Sequence, residues 1–178
     1  MRAIESALVI LVPEAESVVK PFRDKYDPSA AEGCPAHVTL LYPFKPPDEI
    51  TESDLDNLKR CFARFSPLHF TLLTTRRFPN TLYFAPQPDE PFRQLIFAIW
   101  DSYPETPPYG GVYSDVVPHL SVADRLPDKQ LSRIAAELRK ASKGKLPISA
   151  AADDVALLDT KSGRWQVRTR FKLGVTLT

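Results

Sequence analysis

A chain of 178 residues, 43% hydrophobic and 25% charged, has the material for one substantial core and the polarity of a folded soluble protein. Its formal net charge of +1 excludes the broad basic footprint that dominates duplex binding, so a nucleic-acid partner would be small or held by a local patch. Two cysteines, Cys34 and Cys61, exclude a disulfide framework and point to a reducing compartment.

In chain order, ALVILVP (7–13) reads as a short buried strand. It is far below the ~20 apolar residues of a membrane span. Flanked by Glu5 and Glu14, it has no signal-peptide cleavage pattern, and a cytoplasmic protein is expected. VVKPFRDKYD reads as a helix with Pro21 near its start, and PSAAEGCP as a loop. Then comes PAHVTLLYPF (35–44), where strand alternation sends His37 and Thr39 one way and Val38, Leu40 and Tyr42 the other. A strand buried on both faces would not place an imidazole and a hydroxyl side by side without partners. TESDLDNLKRCFARF opens on a candidate N-cap, Thr51 or Ser53, and brings Leu55, Leu58, Phe62 and Phe65 to one helical face. LHFTLLTTRRF and TLYFAP are strands joined by a hairpin at Pro79-Asn80. PFRQLIFAIWDSY is a helix, and a proline-rich loop (104–118) leads into HLSVAD. DKQLSRIAAELRKAS is strongly helical, and residues 146–177 finish as strands with a turn at Lys161-Ser162-Gly163. Hairpins mixed with helices favour an α+β fold of antiparallel sheets with helices on one face.

The order repeats: strand, helix, loop, histidine strand, helix, strands. VPHLSVAD answers PAHVTLLY almost position for position, and His119 follows His37 by 82 residues (119 − 37), close to half the chain. His69-Phe70-Thr71-Leu72 fits the same tetrapeptide pattern, but it follows a helix where the second half has no histidine. His69 is therefore expected at an edge or on the surface.

The paired motifs HVTL (37–40) and HLSV (119–122), at this separation, resemble those of the 2H phosphoesterase superfamily. The likeness is greatest to its bacterial 2′-5′ RNA ligase branch, which the YPF after the first motif and FPNTLYFAP also resemble. That resemblance implies one bilobal domain over 1–178, with two pseudo-symmetric lobes of antiparallel sheet, helices outside and a central cleft between the histidine strands. It implies hydrolysis of 2′,3′-cyclic phosphates or 2′-5′ linkages in RNA or nucleotides and, in reverse, 2′-5′ ligation. His37 and His119 would be catalytic, and Thr39 and Ser121, about 6.6 Å along the strand from them, would hold phosphate oxygens. No cofactor or metal is implied. The expected partner is a small nucleotide or RNA 3′-end substrate; no protein or membrane partner is implied, and a monomer is expected.

Elementary chemistry supports the same roles. Cleaving a cyclic phosphodiester needs a base for water and an acid for the departing ribose oxygen, and imidazole serves either near pH 7. Hydroxyls donating to the non-bridging oxygens stabilise the charge that develops there.

Other readings carry less. A non-catalytic nucleotide or RNA-end binding module would keep the cleft but has no need of both imidazoles. A metal site on His37, His119 and Asp115 or Asp124 lacks the usual supporting ligands, and Cys34 reads as a small buried hydrophobe. In GRWQVRTRFKL, Arg168, Arg170 and Lys172 alternate with Val167, Thr169 and Phe171, which reads better as a charged sheet edge than as an RNA track beside Trp165. Arg76 and Arg77 are open to the same two readings. Tyr42 and Phe44 are expected to pack rather than to stack a base.

Overall fold

The computed structural model describes residues 4–112 and 115–174; residues 175–177 of the last expected strand run lie outside it. Its strands are β1 (Ser6–Leu11), β2 (His37–Leu41), β3 (Leu68–Phe78), β4 (Thr81–Gln87), β5 (Leu120–Ala123), β6 (Ile148–Ala152), β7 (Asp154–Asp159) and β8 (Gln166–Lys172). Its helices are α1 (Glu16–Tyr26), α2 (Pro28–Ala31), α3 (Glu52–Ala63), α4 (Glu90–Ser102) and α5 (Asp128–Ala141). The strands form two four-stranded antiparallel sheets, ordered β2-β1-β7-β8 and β5-β4-β3-β6. The expected α+β fold is what the chain adopts.

The lobes are not the two halves of the sequence. The first sheet takes its strands from both ends of the chain, and the second takes the middle four. α1 follows β1 of the first sheet yet packs against β5 of the second, while α4 follows β4 of the second yet packs against β2 of the first. A core of fully buried residues, Leu8, Ile10, Val38 and Leu40 on one sheet and Leu82, Phe84, Leu120 and Val122 on the other, runs through both. These are the apolar positions of each strand's alternation, so the intervening residues face away from the helices.

Local signals settle the elements. Thr51 caps α3 through a box in which its hydroxyl receives the Asp54 N–H while Asp54 accepts from the Thr51 N–H. Leu58 and Phe62 are buried beneath that helix, with Leu55 and Phe65 packed alongside. Two expectations shift. Pro21 sits inside α1 rather than near its start, where its missing N–H removes one ladder bond, and PSAAEGCP contains the single turn α2, capped by the Asp27 carboxylate on the Ser29 N–H at 2.9 Å.

Candidate active site

β2 and β5 are edge strands of their sheets, and they pack against each other across the lobe boundary. His37 opens β2, and His119 lies one residue before β5. Both are half-buried, and the rings are close enough for charge on His119 to lower the basicity of His37. Thr39 and Ser121 are half-buried on the same strands, between buried neighbours. Neither hydroxyl bonds to another described residue. The four residues singled out by the paired motifs thus gather at one junction.

The two histidines are held in the same way. His37 Nδ1 donates to the Pro35 carbonyl at 2.7 Å, and His119 Nδ1 donates to the Val117 carbonyl at 2.7 Å. A carbonyl only accepts, so both neutral rings carry their proton on Nδ1 and leave the Nε2 lone pair available. Burial is the main force lowering both pKa values; His37 is pushed down to about 4, with the Arg23 guanidinium adding to the effect.

Their surroundings otherwise differ. Behind His37 lies a buried ion pair, Arg23 Nε to Asp27 Oδ2 at 3.0 Å, with Arg23 only 2% exposed. The Cys34 Sγ is 3.3 Å from His37 Nδ1, and burial pushes that thiol up to about 12, so it stays protonated and is neither nucleophile nor ready ligand. Around His119 the neighbours are aromatic. Phe78 and Tyr83 approach edge-on, with centroids at 5.1 and 5.4 Å, and Tyr109 lies roughly parallel at 6.4 Å. Tyr109 adopts the left-handed conformation (φ 52°), uncommon for a non-glycine residue, and its N–H donates to the Tyr42 carbonyl at 2.7 Å. The proline-rich loop is thereby pinned between the two lobes.

Solved structures share this frame. E. coli LigT complexed with 3′-AMP matches with a TM-score of 0.63 at 14% identity, covering 96% of this chain and 98% of that one. A phosphoesterase structure matches at 0.60 and 14% identity, covering 98% and 100%, and TT0787 of Thermus thermophilus at 0.56 and 18%, covering 97% and 100%. No curated protein matches the sequence. The family model of the 2′-5′ RNA ligase superfamily matches residues 11–164.

The chain belongs to the 2′-5′ RNA ligase superfamily. Within this superfamily member, His69 is exposed on β3 opposite Ala151, away from the junction. Phe44 is buried against Tyr103 at 5.1 Å, and Tyr42 donates to Glu5 Oε1 at 2.9 Å while meeting Trp165 edge-on. Arg170 and Lys172 pair with Asp154 and Asp153, and Arg168 donates to the Pro47 carbonyl, as suits a charged edge. Asp115 is held by Arg93, and Asp124 accepts from the Thr81 hydroxyl at 2.6 Å. Among the described residues no group of three His, Cys, Asp or Glu side chains is placed to hold a metal, and no helix is long and apolar enough to cross a membrane. Sequence reasoning missed Arg23, Phe78, Tyr83 and Tyr109. The i, i+4 spacing of Arg23 and Asp27 beside the apolar Val18-Val19 was the available signal for the first, and Tyr109 ahead of Gly110-Gly111 for the last.

Proposed function

We propose that the protein is a phosphodiesterase that opens 2′,3′-cyclic phosphates or cleaves 2′-5′ linkages of RNA or nucleotides without a metal, and that joins the same linkage in reverse. The observation that carries this reading is the paired construction of His37 and His119, each presenting a free Nε2 at one junction with a hydroxyl two residues on. In the hydrolytic direction one Nε2 takes a proton from water as its oxygen bonds to phosphorus. The P–O bond to the ribose breaks on the opposite side, and the other imidazolium gives its proton to the departing oxygen. Thr39 and Ser121 donate to the non-bridging oxygens.

Electrostatics favour a division of labour. Burial and, after it, the Arg23 charge keep His37 neutral, suiting it as base, while at His119 Asp124 partly offsets the lowering by burial, suiting it better as acid. Structures of LigT complexed with 3′-AMP, ATP and phosphate support a phosphate-bearing ligand for this fold.

The test is turnover of nucleoside 2′,3′-cyclic monophosphates with a chelator present. His37→Ala and His119→Ala are each expected to lower kcat by about 10²–10⁴-fold, with His69→Ala near wild type. Equal damage from all three variants would reject the assignment, and tight binding without turnover would make the protein a nucleotide or RNA-end binding module.

A further inference from the structure

Directly paired residues of neighbouring antiparallel strands share a sheet face. From Ser121 one such row crosses β5, β4 and β3 as Ser121, Tyr83, Arg76. The corresponding row from Thr39 crosses β2, β1 and β7 as Thr39, Val9, Ala156. The rows begin at equivalent hydroxyls and end differently. Val9 and Ala156 are buried in a small apolar cluster with Cys34, against which Tyr42 and Trp165 pack, and offer an anion nothing. On the other sheet the row passes Tyr83, against which the half-buried Phe78 stacks at 4.3 Å, and ends at an exposed guanidinium.

That guanidinium is unlike other cations on the strands. Arg77 points to the other face, where it holds Asp128 at 3.1 Å and Ser132 at 2.9 Å on α5. Arg170 and Lys172, on the first sheet, have carboxylate partners at 3.0 and 2.8 Å. Arg76 makes no ion pair or hydrogen bond with any described residue, and its charge acts on the Tyr83 phenol. Two strand spacings of about 4.8 Å place its Cα roughly 10 Å from that of Ser121, so a flexible arginine side chain reaches a group beside the one the hydroxyls would hold.

We propose that Arg76 binds a second phosphate of the substrate, the one adjoining the reacting phosphoryl group, so that the junction favours an RNA 3′ end over a mononucleoside cyclic phosphate. This inference rests on the phosphodiesterase reading of the same junction. The nucleoside between the two phosphates lies across Phe78, and the strand leaves over the second sheet. Phe78, two residues along β3 from Arg76, stacked on Tyr83 and perpendicular to His119, is the half-buried aromatic surface beside this row.

Three substrates separate the contributions: a nucleoside 2′,3′-cyclic phosphate, its 5′-phosphorylated form, and a dinucleotide ending in the cyclic phosphate. Wild type is expected to prefer the second and third over the first by ~10-fold in kcat/KM, the worth of one charge-assisted contact. Arg76→Ala should erase that preference while leaving the first substrate within about twofold, and Arg76→Lys should restore part of it. Preference for the dinucleotide alone, persisting in Arg76→Ala, would show recognition of the second nucleoside instead and overturn the proposal. So would an equal loss on all three substrates. If wild type turns over none of them, the hydrolytic reading fails by itself. Arg76 is then decided by affinity, with a 3′-phosphorylated dinucleotide binding tighter than a 3′-mononucleotide only while Arg76 is present; equal affinities would overturn it.

Discussion

Protonating His37 places a positive charge beside the buried Arg23 guanidinium, whereas protonating His119 places one within the field of Asp124. Burial lowers both pKa values, at His119 against the pull of Asp124, so both rings are neutral at pH 7 in the free protein, and in the proposed reaction the acid must be charged to act. It follows that kcat/KM should be greatest between about 4 and the lowered pKa of His119 and should fall as pH rises through that pKa, so that the decline sets in below the ordinary histidine value of 6.5. A bound phosphodiester anion raises both pKa values, so the alkaline limb of kcat should lie at higher pH than that of kcat/KM. Replacing the buried pair (Arg23→Met with Asp27→Asn, which keeps an acceptor for the Ser29 N–H) removes the charge that most lowers the His37 pKa and should move the acid limb of kcat/KM upward. Steady-state rates across about pH 4 to 9 measure all three, and a flat kcat/KM profile between pH 5 and 8 would rule out the scheme. At this scale the sequence made the imidazoles and hydroxyls legible, because strand alternation exposes a polar face directly. It hid Arg23, because a buried cation looks like any other helical charge until its partners are known.

The element that sets His119 is the proline-rich loop, and Arg93 of α4 ties down the end of it. Its Nε meets Asp89 at 2.9 Å, and one terminal nitrogen meets both Asp115 (3.0 Å) and the Val116 carbonyl (2.8 Å), one residue before the carbonyl that orients His119. Arg93→Met should release that end of the loop and lower kcat/KM on cyclic phosphates by ~10-fold, since small misplacement of an acid or base is costly. Thermal stability should change little, because the ion pairs are partly exposed. Lysine, a point charge, cannot span three acceptors and should not rescue. Unchanged kinetics in Arg93→Met would mean that the loop holds His119 without this tether. Helix α3 shows the opposite case, since its capping residue and apolar face are local and were legible from Thr51 to Phe62. The loop's conformation was not, because it depends on Tyr42 and Arg93, both far away in sequence.

Across the whole molecule, the repeat of histidine strands was legible and the exchange of elements between lobes was not. Which strand a segment pairs with depends on contacts made only after the chain has folded back on itself. β7 and β8 complete the sheet begun by β1 and β2, so the first lobe cannot close until more than a hundred residues of the other sheet and its helices have been passed. Specific bonds fix the exchanged helices in place: the Asp124 N–H after β5 donates to the Tyr26 carbonyl at the end of α1 (2.9 Å), and the Tyr103 hydroxyl beyond α4 donates to the Asp54 carbonyl of α3 (3.1 Å). Removing either sheet would uncover helices that belong, by sequence, to the other. The protein should therefore unfold in one transition, with near-ultraviolet and far-ultraviolet circular dichroism giving coincident urea midpoints and slopes. A fragment ending before β7 should lack cooperative unfolding altogether, because β1 and β2 would be left as an unsupported pair. Two separated transitions, or a cooperatively folding fragment, would show that the lobes are independent despite their exchanged helices.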